Sequence, residues 1–140
     1  QFGAEAVFHA EEDLPACLHR VNDGRLADLV IVCTGATSAI MQALQLVERG
    51  GTVLFFAPTS LGVTIPISIN ELFFRHDITL TTSYAGSPAD YAGALELIRA
   101  RRVNVLPMIT HRLSLAETGL GFQLVADAQN SIKVIIEPQR

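Results

Sequence analysis

The chain contains no tryptophan, and aromatic residues make up only 6% of its 140 positions. It carries two cysteines, Cys17 and Cys33. They are too few and too far apart in sequence for a disulfide framework or a zinc knuckle. Both are expected to be reduced core thiols, as in a cytoplasmic protein. Basic residues are also scarce: 10 Lys and Arg against 14 Asp and Glu give a net charge of −4. Arg99, Arg101 and Arg102 form the only basic cluster, so a nucleic-acid surface is excluded as a working reading. No apolar run approaches the roughly 18 residues that a membrane helix needs. The four histidines (His9, His19, His76, His111) are scattered, and none has a second ligand at helical spacing. GxSxG, HExxH and the glycine-rich phosphate loop are all missing, so no catalytic constellation presents itself.

What remains is strongly globular. Apolar residues are 49% of the chain and charged residues 17%, the balance of a single domain's length of sequence with strands buried on both faces, or with a surface meant for another domain. The opening Gln1-Phe2-Gly3-Ala4 lacks Met and sets an apolar residue against glycine, as at a helix C-terminus. It reads as a chain entered partway through a larger architecture.

Strand and helix patterns then alternate. Residues 5–10 (EAVFHA) suit a short strand. Residues 12–21 suit a helix, with Asp13 as cap, Pro15 in the first turn, and Leu14, Cys17, Leu18 and Val21 at helical spacing. Residues 29–33 form a near-continuous apolar run, the mark of a central parallel strand. Thr37 or Ser38 is expected to cap the next helix, with Ile40, Leu44 and Val47 inward and Gly50-Gly51 closing it. Residues 52–57 (TVLFFA) read as a buried strand, and residues 63–67 alternate as an edge strand that tolerates Pro66. A short helix over 70–76 and a strand over 78–84 follow. Ser87, Pro88 and Asp90 form a capping device for a helix carrying Tyr91, Leu95 and Ile98 on one face. Ser114 and Glu117 repeat the device before a helix to about Ala126, and residues 131–136 (SIKVII) end as a strand. This alternation predicts an α/β fold with a parallel sheet and right-handed crossovers. The last helix and strand break the rhythm, as if returning to a neighbouring domain.

In open α/β sheets, ligands sit beyond the carboxyl ends of the strands. Those ends are Cys33-Thr34-Gly35, Phe56-Ala57-Pro58 and Ser83-Tyr84-Ala85-Gly86. Small, hydroxylated and glycine-bearing, they suit a flat ligand lying against backbone; equally, the glycines serve tight strand-to-helix turns.

The ordered set ADLVIVCTGA, RGGTVLFFAP, ITLTTSYAGSPADYAGALELI, ITHRLSLAE and SIKVII resembles the medium-chain dehydrogenase/reductase superfamily. Within it, the set is most similar to the zinc-dependent alcohol, polyol and threonine dehydrogenase branch, over essentially the whole chain. The resemblance implies the C-terminal part of such an enzyme. Residues 1–106 would be an incomplete Rossmann domain, a doubly wound parallel sheet that binds NAD(P). Residues 107–140 would return to a catalytic domain that lies outside the chain, along with the glycine-rich turn and every zinc ligand. It implies that Cys33, Thr34 and Gly35 face the adenosine side of the cofactor. Phe55, Phe56 and Ala57 would line the nicotinamide, and Thr82 and Tyr84 would hold its carboxamide through backbone groups. Lys133 would reach the pyrophosphate, unless it is a solvated strand-end charge. The implied reaction is zinc-assisted hydride transfer between an alcohol and NAD(P), and residues 63–67 would join subunits into a homodimer or homotetramer. A zinc-independent quinone or enoyl reductase of the same superfamily, and a non-catalytic binding or assembly module, are the alternative readings.

Overall fold

The computed structural model describes residues 3–139. They form two compact units, the first spanning Gly3–Ala85 and the second beginning at Gly86. Gln1 and Phe2, where the helix-end reading began, lie outside the described residues; Gly3 has φ +89°, the left-handed region that favours glycine.

The first unit runs α1 (Leu14–Val21), β1 (Ala27–Val32), α2 (Thr37–Leu46), β2 (Val47–Phe55), a wide helical turn at Asn70–Arg75, and β3 (Thr79–Thr82). Its sheet has the order β1-β2-β3, and both pairings are parallel. Asp13 caps α1 as its sequence position predicts: the carboxylate accepts a hydrogen bond from Ala16 N at 3.1 Å. Apolar residues from both faces of the α2–β2 crossover meet in one core, comprising Val32, Ile40, Ala43, Val47, Val53 and Ile78. Val53, in the C-terminal half of β2, has 0% exposure. Burying a side chain of that kind stabilises by roughly 1.5–3 kcal/mol.

Several expectations are corrected here. Residues 5–10 form no strand, because a strand exists only through its ladder and no neighbour pairs with this segment. Residues 63–67 form no strand either; Ile65 instead packs against the core, and Pro66 has no N–H to offer a ladder. Among the described residues β1 is an outer strand of the sheet, with Leu29 and Ile31 more than half exposed. Neither Thr37 nor Ser38 caps α2. Ala36 occupies the cap position with no side-chain bond.

The helix also ends earlier than expected. It stops at Leu46, and Val47 already belongs to β2, with extended backbone. Gly50 and Gly51 therefore shape a bulge in the strand instead of closing the helix. Between the Ala27–Val47 and Leu29–Thr52 pairs, β2 has four intervening residues and β1 has one. Gly50 takes φ +75° there. A Cβ at Gly51 would lie 2.7 Å from Glu48 O. Glu48 pins the bulge, accepting hydrogen bonds from Leu26 N at 2.9 Å and from its neighbour Arg49 N at 3.0 Å. Those bonds hold its carboxyl below the ordinary value of 4.5.

The second unit contains α3 (Pro88–Arg99), β4 (Ile109–Ser114), α4 (Thr118–Asp127) and β5 (Lys133–Glu137). Its expected capping device at Ser87 is present in full. Ser87 Oγ accepts from Asp90 N, and Asp90 accepts from Ser87 N at 2.7 Å. Hydrogen bonds from the Ser87 hydroxyl and backbone lower the Asp90 carboxyl from its ordinary 3.8. Tyr91, Leu95 and Ile98 are all exposed. The second device joins Ser114 to Glu117 before α4, as read from the sequence. β4 and β5 pair in parallel, so β4, α4 and β5 form a β-α-β unit. α4 packs on it through Gly121, where a Cβ would sit 3.2 Å from Ile136 Cδ1. Arg112 and Glu137 form an ion pair across these strands.

Candidate cofactor cleft at the strand carboxyl ends

The first unit opens a cleft of ≈ 280 Å³ where β2 and β3 end. Its floor is the edge of the core, contributed by Ile40 of α2 and Phe55 of β2. Phe56, Ala57, Pro58 and Thr59 form one side, and Thr82, Ser83 and Tyr84 the other.

The backbone explains the opening. Phe56 N and Ala57 N both donate to Val32 O, at 3.0 and 3.2 Å. Two consecutive amides on one carbonyl end the regular ladder, in which successive N–H groups alternate between neighbours. The chain is thereby turned off the strand direction just beyond Phe55. On the opposite side, Thr82 Oγ1 donates to Phe55 O at 3.0 Å, and Ser83 N donates to the same oxygen at 3.4 Å. Val32 O thus anchors one wall and Phe55 O the other. Ala85, immediately past the cleft, holds a left-handed backbone at φ +58°, a strained conformation for a residue with a Cβ.

Gly35 ties the end of β1 into the same construction. A Cβ there would fall far inside contact distance of the Pro58 carbonyl oxygen, and 3.4 Å from Thr59 Cα. Only glycine permits this approach of the two backbones. Thr34 Oγ1 accepts from Ala36 N at 3.3 Å, bending the chain into α2. The first turn of α2 brings a partial positive charge to the strand ends.

The predicted site residues divide accordingly. Phe55, Phe56, Ala57, Thr82 and Tyr84 line one cleft. Phe56 is 57% exposed and Tyr84 97%, so both rings are accessible. Cys33, Thr34 and Gly35 form the adjoining strand end, with Gly35 touching the Pro58–Thr59 wall. Cys33 is exposed, which corrects its assignment to the core; Cys17 is buried as expected. Lys133 starts β5 in the second unit and is exposed. Ile40 and Thr59 line the cleft without having been singled out, and Ser83 had been marked only as part of a strand end. Ile40 carries no sequence signal for this, because the same helical spacing marks it as core. Ser83 sits inside a strand end already marked by its small and hydroxylated residues.

Apolar walls with a few hydroxyls suit a flat heteroaromatic ring bearing polar substituents, and the volume suits one such group rather than a whole dinucleotide. Zinc is a different matter. Among the described residues, no group of three or more His, Cys, Asp and Glu is placed to hold a metal. No helix among them is long and apolar enough to cross a membrane.

Parallel α/β architecture with a cleft at the strand carboxyl ends defines a nucleotide-binding type of fold. Residues 1–100 match the zinc-binding dehydrogenase family, and the chain belongs to it. It is 28% identical over 134 residues to a sorbitol dehydrogenase of Halalkalibacterium halodurans, an alignment covering 95% of this chain and 38% of that protein. Among solved structures, it is similar to a zinc-binding dehydrogenase of Clostridium scindens, with TM-score 0.85 and 20% identity. That match covers 99% of this chain and 38% of the other. A zinc-binding dehydrogenase of Sinorhizobium meliloti bound to NADP superposes with TM-score 0.71 and 25% identity, over 81% of this chain and 32% of that one. The chain thus spans less than two-fifths of the length of these relatives. The fold is accordingly a partial Rossmann domain followed by a further helix-strand segment.

Proposed function

We propose that this chain is the cofactor-binding part of an NAD(P)-dependent oxidoreductase acting on an alcohol, a polyol above all. One observation carries the reading. The strand ends assigned to the nicotinamide, 55–57 and 82–84, converge on one cleft, in a chain of the zinc-binding dehydrogenase family. The NADP-bound neighbour and the sorbitol dehydrogenase supply the cofactor and substrate classes.

In this reading Phe56 and Tyr84 flank the nicotinamide, and Ile40 and Phe55 close its floor against water. Backbone groups at Thr82 and Tyr84 hold the carboxamide, and Cys33, Thr34 and Gly35 border the adenosine side. When bound, the nicotinamide accepts or gives the hydride. The chain's own contribution is to orient that ring and keep one face dry. Residues 1–106 serve the cofactor, and residues 107–140, with Lys133 directed at the pyrophosphate, belong with the substrate part. The family's metal has no donor set among the described residues, so zinc and substrate chemistry fall to residues outside this chain. The assembled enzyme works in the cytoplasm as a homodimer or homotetramer, with residues 63–67 meeting a second copy.

Saturation-transfer NMR on the purified chain tests the reading. Millimolar NAD⁺ or NADP⁺ is expected to receive saturation at its nicotinamide and adenine protons, with an excess of the reduced cofactor suppressing the effect. Binding by the chain alone is expected to be weak at most, because the glycine-rich turn lies outside it; transfer that reaches the adenine and ribose protons but bypasses the nicotinamide would overturn the reading.

A further inference from the structure

The first unit holds a second concavity, at the opposite end of its sheet. Leu26 just precedes β1, Val47 begins β2 and Ile78 just precedes β3, while Met41 and Leu44 come from α2. The volume is ≈ 610 Å³, within the range of small-molecule sites. Val47 and Ile78 are themselves core residues, at 6% and 5% exposure, so the floor is the apolar interior.

The rim is polar, and Glu71 is the one carboxylate among its residues. It carries Gln45, Ser68, Glu71 and His76, all exposed. His76 Nδ1 lies 2.6 Å from Glu71 O. A carbonyl can only accept, so Nδ1 is the donor, and in that tautomer Nε2 is an acceptor. The Glu71 carboxylate faces Arg75 Nε at 3.4 Å through one oxygen, and a carboxylate has acceptor sites on both. The Ser68 hydroxyl accepts from Glu71 N at 3.4 Å and can donate or accept toward a ligand. An apolar floor under a rim that holds the Glu71 carboxylate and no Lys or Arg is complementary to an aliphatic body with a cationic head group, and it opposes a carboxylate.

We infer that this cavity binds a small aliphatic amine, its chain on Met41, Leu44 and Ile78 and its ammonium at Glu71 and His76. The site is distinct from the cofactor cleft and stands or falls separately from it; Pro66 and Ile67, in the stretch proposed to meet a second copy, also line it, so the test must separate the two occupants. The two are joined by single elements: α2 contributes Ile40 to one and Met41 to the other.

The chain has two methionines. Met41 lines the cavity, and Met108 lies in the second unit and serves as an internal reference. With [methyl-¹³C]methionine labelling, n-hexylammonium is expected to shift the Met41 signal saturably and leave Met108 in place. Hexanoate should bind at least about tenfold more weakly, since its charge meets Glu71. Glu71→Gln, an exposed substitution, should erase most of that preference, and Leu44→Trp should abolish the Met41 response. Three results would each overturn the inference. They are an unsaturable or missing Met41 shift, equal affinity for the two ions, and a Met41 signal that moves with protein concentration alone, which would give the cavity to a second copy.

Discussion

Replacing Gly35 by alanine tests whether the strand ends form one construction. The added Cβ would sit well inside the 3.0 Å that real Cβ atoms respect, against a backbone oxygen rather than a flexible side chain. Pro58 must therefore retreat by several tenths of an ångström. It follows directly on Phe56 and Ala57, whose amides share Val32 O. Overpacking of this kind costs about 1–3 kcal/mol, and each weakened hydrogen bond adds up to about 1 kcal/mol. We expect Gly35→Ala to cost about 2 kcal/mol, near the centre of that range. Gly62 provides the contrast within the same unit, because nothing lies within 4 Å of its Cβ position, yet φ is +80°. Gly62→Ala should cost about 1 kcal/mol from backbone strain alone. Asparagine, which tolerates the left-handed region, should recover part of that loss at Gly62 and none at Gly35. Urea unfolding followed by far-ultraviolet circular dichroism reads all four variants, since tryptophan fluorescence is not available to the chain. A Gly35→Ala protein within about 0.5 kcal/mol of the parent would refute the reasoning.

Other outcomes follow from the same structure. A thiol reagent should label Cys33 rapidly and Cys17 only on unfolding, given their exposed and buried positions; bound NAD⁺ should slow the Cys33 reaction, and two equally fast thiols would contradict the placement. Glu48 and Asp90 both have lowered carboxyl values in the folded chain. Their contribution is thus present above the ordinary values of 4.5 and 3.8 and is lost as pH falls through the folded ones. Acid unfolding curves of Glu48→Gln should show a shallower fall in stability below 4.5 than those of the parent. Ser87→Ala should destabilise α3 by about 1 kcal/mol through loss of its cap. Hydrogen exchange at the amides of residues 89–91 would detect it.

The parts of the fold legible in the sequence were those fixed by local chemistry. Asp13, Ser87 with Asp90, and Ser114 with Glu117 each supply an oxygen at the spacing a helix start requires, and each makes its bond. The buried strand at Val53 was marked by β-branched and aromatic residues. What depends on a partner was not legible. Residues 5–10 and 63–67 have strand-like patterns, but a pattern does not supply the neighbouring backbone. Val47 is apolar and inward whether helix or strand, so burial could not place the end of α2. The cleft was legible as strand ends, because glycine, alanine and hydroxyl residues cluster there. Its floor was not, since Ile40 serves core and cleft with the same face. Cys33 misled for the opposite reason: it follows an apolar run, yet it stands one residue past the last strand position, Val32.

The most direct test of the cofactor cleft is an amide chemical-shift map of the isotope-labelled chain titrated with NAD⁺. The account predicts that the largest shifts fall on residues 33–35, 55–57 and 82–84, and that Phe56→Ala, which removes one wall of the cleft, weakens binding severalfold. Binding is expected only toward millimolar cofactor, and shifts centred elsewhere would contradict the placement.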